Sequence, residues 1–109
     1  MSKPPASARD AVRGTVPKMI EVTENVIYGD IWERPGLSKR DRSLIVLATL
    51  IATYRPDQLR GHLARALDNG VTKEEIAEVI THLAFYSGWP SSMTAARIAK
   101  DVFEERGIG

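Results

Sequence analysis

The sequence predicts an all-α protein, a bundle of five to six helices. Three observations carry that reading. Apolar residues recur at three- and four-residue spacing in several consecutive segments. Each segment is bounded by a proline, a glycine or a capping residue. Valine, isoleucine and threonine never alternate cleanly with polar residues over the length of a strand. The chain has 109 residues, enough for one domain, and a chain of that size buries roughly 65% of the surface its unfolded form exposes. Residues 1–14, with Lys3-Pro4-Pro5-Ala6-Ser7, read as a flexible arm, and residues 15–109 as the helical domain.

The first periodic segment runs from about Val16 to Trp32, with Val16, Met19, Ile20, Thr23, Val26, Ile27 and Ile31 along one stripe. Thr15 and Pro17 suit its start, and Arg34-Pro35-Gly36 stops it. Ser38, with Asp41 three positions on, opens a second helix that reaches about Thr53. Leu44, Val46, Leu47, Leu50 and Ile51, with Ala48 and Ala52, leave that helix almost no polar face, so it is expected to be buried between helices or between subunits. Pro56 starts a third helix, to about Asp68, and Asn69-Gly70 supplies a left-handed stop. Thr72-Lys73-Glu74-Glu75 is a capping box for a fourth helix with Ile76, Val79, Ile80, Leu83 and Ser87 on one face. Gly88-Trp89-Pro90 ends it, and a fifth helix follows with Ala95, Ala96, Ala99, Val102 and Phe103 as its stripe and Gly107 as its stop.

Composition narrows the chemistry. The chain has no cysteine, which excludes disulfides, cysteine-ligated metals and thiol mechanisms. Lys plus Arg (15) nearly balances Asp plus Glu (14), so no basic footprint for nucleic acid is expected, and 6% aromatics make a base-stacking platform a poor fit. No apolar run reaches the roughly 18 residues that a membrane-spanning helix needs, and Met1–Arg13 has no apolar signal-peptide core; a cytoplasmic protein is the expectation.

The candidate reactive groups are therefore imidazoles, guanidiniums and carboxylates. His62 shares a helix face with Leu59, Leu63, Ala66 and Leu67 and so points toward the core or an interface. It is either a satisfied buried imidazole or an acid/base group in a dry pocket. Glu78, His82 and Tyr86 stack four apart along one side of the fourth helix, with Trp89 at its end. They form either a face packed on another subunit or a pocket wall with polar tips. Two histidines so placed make a weak metal site. Arg34 and Arg42 flank the Pro35-Gly36 turn, within a basic cluster that is either solvated surface or a seat for a carboxylate.

Tyr28 to Leu37, Arg42-Ser43-Leu44-Ile45-Val46-Leu47-Ala48, His62 ahead of Asn69-Gly70-Val71-Thr72-Lys73-Glu74-Glu75-Ile76, and Ala84-Phe85-Tyr86-Ser87-Gly88-Trp89-Pro90 together resemble the carboxymuconolactone decarboxylase family, over about Val26 to Phe103. The resemblance implies an alkylhydroperoxidase-D-like helical fold assembled as a homo-oligomer, a trimer or hexamer. It implies the cysteine-free branch, since Arg55-Pro56-Asp57-Gln58-Leu59-Arg60-Gly61 ahead of His62 holds no Cys-x-x-Cys pair; a peroxiredoxin-like antioxidant role is thereby disfavoured. For that branch the expected reaction is loss of CO2 from γ-carboxymuconolactone, giving the 3-oxoadipate enol-lactone in aromatic degradation. No cofactor is required, because the conjugated lactone carbonyl accepts the electrons. The resemblance points to Arg42, with Arg34, on the substrate carboxylates and to His62 as proton donor or oxyanion partner. His82, Tyr86 and Trp89 would line the pocket, with His82 sharing the acid's part. Pro90-Ser91-Ser92-Met93 stands where the decarboxylases tend to read Pro-Ala-Ala-Asn, and His82 where they commonly carry glutamine. The alternative is an oligomer that holds a small anion without chemistry.

Overall fold

A computed structural model describes residues 8–109 and is helical, with no strand among those residues. Lys3-Pro4-Pro5-Ala6-Ser7 of the expected arm lies outside the described residues. Two compact units meet in sequence at Gly36 and Leu37.

In the N-terminal unit, α1 (Ala8–Val12) and α2 (Pro17–Val22) are followed by a wide helical turn over Thr23–Ile27 and a tight one over Ile31–Glu33. A single helix over 16–32 is thus not what forms. The Thr23 hydroxyl donates to the Met19 carbonyl at 2.8 Å, the Tyr28 N–H reaches back five residues to the Thr23 carbonyl, and the regular ladder ends at Val22. At Gly29 the chain folds so tightly that a Cβ would sit 2.6 Å from the Asn25 carbonyl oxygen, which no residue with a side chain allows. Arg13 donates to both Glu24 oxygens, at 2.7 and 2.6 Å, and holds that carboxyl below its usual range. The Arg9 guanidinium lies 4.8 Å from the centre of the Tyr28 ring, which packs on Trp32.

The second unit holds the four long helices α3 (Lys39–Ala52), α4 (Pro56–Asp68), α5 (Lys73–Ser87) and α6 (Trp89–Glu105). Their starts follow the local signals. Ser38 Oγ accepts from the Asp41 N–H at 3.0 Å, and Thr72 and Glu75 close a reciprocal capping box. Pro56 and Pro90 occupy first turns, where a missing N–H costs nothing. Gly70 and Gly88 turn their corners at φ of +93° and +108°. Leu47, Ile51, Leu59, Leu63, Ala66, Val71, Ile76, Ile80, Ala95, Ala99 and Val102 make the core. α3 and α6 each pack on both α4 and α5, while α4 and α5 share no extensive interface of their own. Polar atoms inside are satisfied: Ser43 Oγ accepts from Asn69 Nδ2, and Ser92 Oγ donates to the Ile80 carbonyl.

The greasy α3 is covered on one face only within a single chain. Within one chain only Ser43, Leu47 and Ile51 are buried on it, and Ile45 is 52% exposed. Its neighbours cover one face and leave the opposite face open. No helix among the described residues is long and apolar enough to cross a membrane.

Candidate functional site

His62 sits in the middle of α4, beside Leu63 and one turn from Leu59 and Ala66, all three buried. The ring is half-buried, and among the described residues nothing hydrogen-bonds it. Burial, helped by the nearby Arg65 charge, pushes its pKa below the usual imidazole value, so the ring is neutral at pH 7. A neutral imidazole offers one N–H donor and one acceptor nitrogen. That equips it to donate to a developing oxyanion more readily than to deliver a stored proton.

His82 belongs to the outer side of α5 and is exposed. Its ring packs on Tyr86 at 4.8 Å, as the four-residue spacing predicts. One step round the helix, Phe85 meets Trp89 edge to face at 5.3 Å across the Gly88 corner. His82, Tyr86 and Trp89 are therefore brought to one end of the α5–α6 hairpin, on its outside. Phe85 and Met93 join them there, each more than half exposed. The sequence reading did not assign these two a role. Their signal is a run of large apolar side chains around Gly88-Trp89-Pro90, where a hairpin tip has no core to receive them.

Arg42 lies in the first turn of α3, half-buried, and its Nε donates to the Leu37 carbonyl at 3.2 Å, closing the entry turn. The Asn69–Ser43 hydrogen bond puts this end of α3 beside the C-terminal end of α4, seven residues along the helix from His62, or roughly 10 Å at 1.5 Å per residue. Arg34, exposed, follows the Ile31–Glu33 turn in the N-terminal unit. The two histidines stand on α4 and α5, which share no extensive interface.

A cleft of about 400 Å³ runs between α5 and α6, with Ala77, Thr81 and Ala96 along it and Lys73, Lys100 and Phe103 toward one end. None of the six expected site residues lines it. A second hollow beside Tyr54, Arg55, Ser91 and Thr94 measures about 10 Å³, room for one water at most. Among the described residues no three His, Asp or Glu side chains are placed to hold a metal ion. Of the residues where this chain departs from the family's motif, Ser92 is a buried packing residue with its hydroxyl satisfied, and Met93 is on the surface.

Fold and side chains together define a cysteine-free, all-helical protein with one half-dry imidazole and a second imidazole on an aromatic outer face. The chain belongs to the carboxymuconolactone decarboxylase family, whose sequence profile matches residues 17–101. It is 46% identical over 81 residues to a 4-carboxymuconolactone decarboxylase of Acinetobacter baylyi, covering 74% of this chain and 60% of that protein. It is 35% identical over 97 residues to the nitrosuccinic acid decarboxylase npaB of Metarhizium robertsii, covering 89% and 67%. An uncharacterized protein of Paracoccus denitrificans is 34% identical over 80 residues, covering 72% and 60%. The chain thus spans about three fifths of the length of the Acinetobacter relative.

Proposed function

We propose that this protein is a carboxy-lyase that removes CO2 from a small carboxylated substrate without a cofactor, with 4-carboxymuconolactone the first candidate, as in the breakdown of aromatic acids. The observation that carries the reading is the 46% identity to a protein named for that activity. A second decarboxylase among the relatives, named for a nitro-substituted diacid, supports the reaction class more broadly than the lactone itself.

The chemistry needs three things. The bond from carbon to the carboxylate breaks, and its electron pair flows into the ring double bond conjugated with the lactone carbonyl. An N–H donor must meet the carbonyl oxygen as charge develops there. An acid must then protonate the ring carbon next to the lactone carbonyl, leaving the new double bond at the carbon that lost CO2. His62, neutral and half-dry, suits the donor's place. Arg42, fixed by its bond to Leu37, is assigned to the substrate carboxylates. His82 is assigned the proton, with Tyr86 and Trp89 as the wall beside it. We take the site to form between subunits of a homo-oligomer, trimer or hexamer, because the two histidines stand on helices that share no extensive interface within one chain.

The test is CO2 release from 4-carboxymuconolactone, with nitrosuccinate in parallel. Wild-type protein releases CO2 from one of the two, and His62→Gln lowers turnover by about 10²-fold or more, the usual worth of a positioned acid, base or oxyanion donor, with helicity unchanged. Wild-type turnover in His62→Gln assigns the ring a packing role. The lack of an extensive interface between the two histidine-bearing helices favours one other reading, an oligomer that binds a small anion without chemistry. Carboxylates that raise the melting temperature while no CO2 appears select it.

A further inference from the structure

We propose that the cleft between α5 and α6 is a binding site for a medium-chain aliphatic carboxylate, separate from the candidate catalytic residues. The cleft holds about 400 Å³, within the roughly 300–1,000 Å³ of small-molecule sites. Buried Ile80 and Ala99 form its floor. Ala77 on α5 and Ala96 on α6 are exposed and too short to fill the space between the two helices. The Thr81 hydroxyl is turned back on its own helix and donates to the Ala77 carbonyl at 2.8 Å. Ala77, Ile80 and Thr81 therefore offer a ligand no side-chain donor, and this stretch suits an apolar tail. Lys73 and Thr81 stand eight residues apart on α5, roughly 12 Å at 1.5 Å per residue, which is the reach of a medium-chain acyl group.

One end of the cleft is different. Among the lining side chains, Lys73, Lys100 and Glu104 place two ammoniums against one carboxylate there. Lys100 Nζ donates to Glu104 at 2.7 Å, which holds its pKa above the usual range and keeps it charged. Lys73 Nζ donates to the Ile108 and Gly109 carbonyls at 3.1 and 3.4 Å. An ammonium has three N–H groups, so both lysines retain donors beyond those already used. A head group at this end must accept hydrogen bonds and gains from negative charge. A carboxylate does both, and an amine does neither. None of the residues assigned to decarboxylation lines the cleft, so the site stands whether or not that reaction occurs.

Calorimetric titration of the intact protein with octanoate tests this. Octanoate binds saturably with a Kd of about 1 mM or tighter, and acetate and octylammonium do not. Hexanoate binds on the order of ten-fold more weakly than octanoate, because each buried methylene changes affinity by about four-fold. Ala77→Leu and Ala96→Leu fill the hollow with a good helix former, and each weakens octanoate by ten-fold or more with the helical signal retained. Lys73→Gln and Lys100→Gln each weaken it several-fold, whereas His62→Gln binds it as wild type does. No saturable heat up to about 10 mM octanoate, equal affinity for octanoate and octylammonium, or binding indifferent to both leucine substitutions overturns the proposal. Loss of octanoate binding in His62→Gln places the acid beside that imidazole instead, and overturns it as well.

Discussion

α4 and α5 are of similar length, 13 and 15 residues, and each carries one of the two histidines, yet they solve burial differently. α4 turns Leu59, Leu63 and Ala66 inward and ties its polar side to α6: Arg60 reaches Glu105 at 2.5 Å and Asp101 at 3.6 Å, and Asp68 pairs with Arg106. α5 turns Ile76, Ile80 and Ala84 inward but keeps Phe85 and Tyr86 outside, beside His82. The first helix ties its polar side down within the chain; the second is apolar on a side that no described residue covers. Apolar side chains therefore mark two different surfaces here, one inside the bundle and one open in the single chain. His62 lies against the first kind and His82 on the second.

The largest expected effect tests the inward side of that contrast. Leu63→Ala removes a side chain with no exposure and leaves a cavity, costing roughly 2–5 kcal/mol in urea unfolding, whereas Tyr86→Ala changes the stability of the dissociated chain by no more than about 0.5 kcal/mol. Comparable losses in the two variants would erase the distinction.

Next in size is the side-chain cap that α5 has and α4 lacks. Thr72→Ala deletes the hydroxyl that accepts from the Glu75 N–H at 3.1 Å and is expected to cost about 1 kcal/mol by the same measurement. α4 begins without a side-chain cap, so the chain offers it no equivalent substitution.

A smaller gain is expected from Gly61→Ala on α4. A Cβ there meets nothing within 4 Å, and alanine favours a helix interior by roughly 0.5–1 kcal/mol over glycine. A rise in melting temperature agrees with an open flank beside His62; a fall in the assembled protein means that the flank is covered by a neighbour.

The least effect concerns protonation. Burial lowers the folded-state pKa of His62, so on acidification the unfolded chain takes up the proton first. The contribution is therefore fully present above the unfolded value of about 6.5 and is lost as pH falls from there toward the folded value. Wild type should lose more stability between pH 7 and 5 than His62→Gln, as read from denaturant unfolding at both pH values. Equal losses would mean that the ring is as wet as a free histidine.

Much of this was legible beforehand. Ser38, Pro56, Thr72 and Gly88 mark the starts and ends of α3 to α6 because capping and chain-breaking act within a few residues. The stacking of His82 on Tyr86 was legible for the same reason. The stripe over 16–32 misled, because periodicity registers apolar spacing and not the Thr23 hydroxyl or the close pass at Gly29 that interrupts the ladder. Of the expected site, His62's position among leucines was readable, but the lack of an extensive interface between its helix and that of His82 was not, since that depends on which helices become neighbours.

By itself the sequence determined a cysteine-free helical chain, the ends of its four long helices and the family to which it belongs, all properties carried by residue identity and short-range spacing. Only the tertiary structure decided that α3 and α6 each pack on both helices that carry a histidine, and that Ile45, Phe85, Trp89 and Met93 face outward. The physical reason is that a helix can present its apolar side to any neighbour of suitable shape. Which neighbour it meets, and which apolar side is left over, is settled by long-range packing.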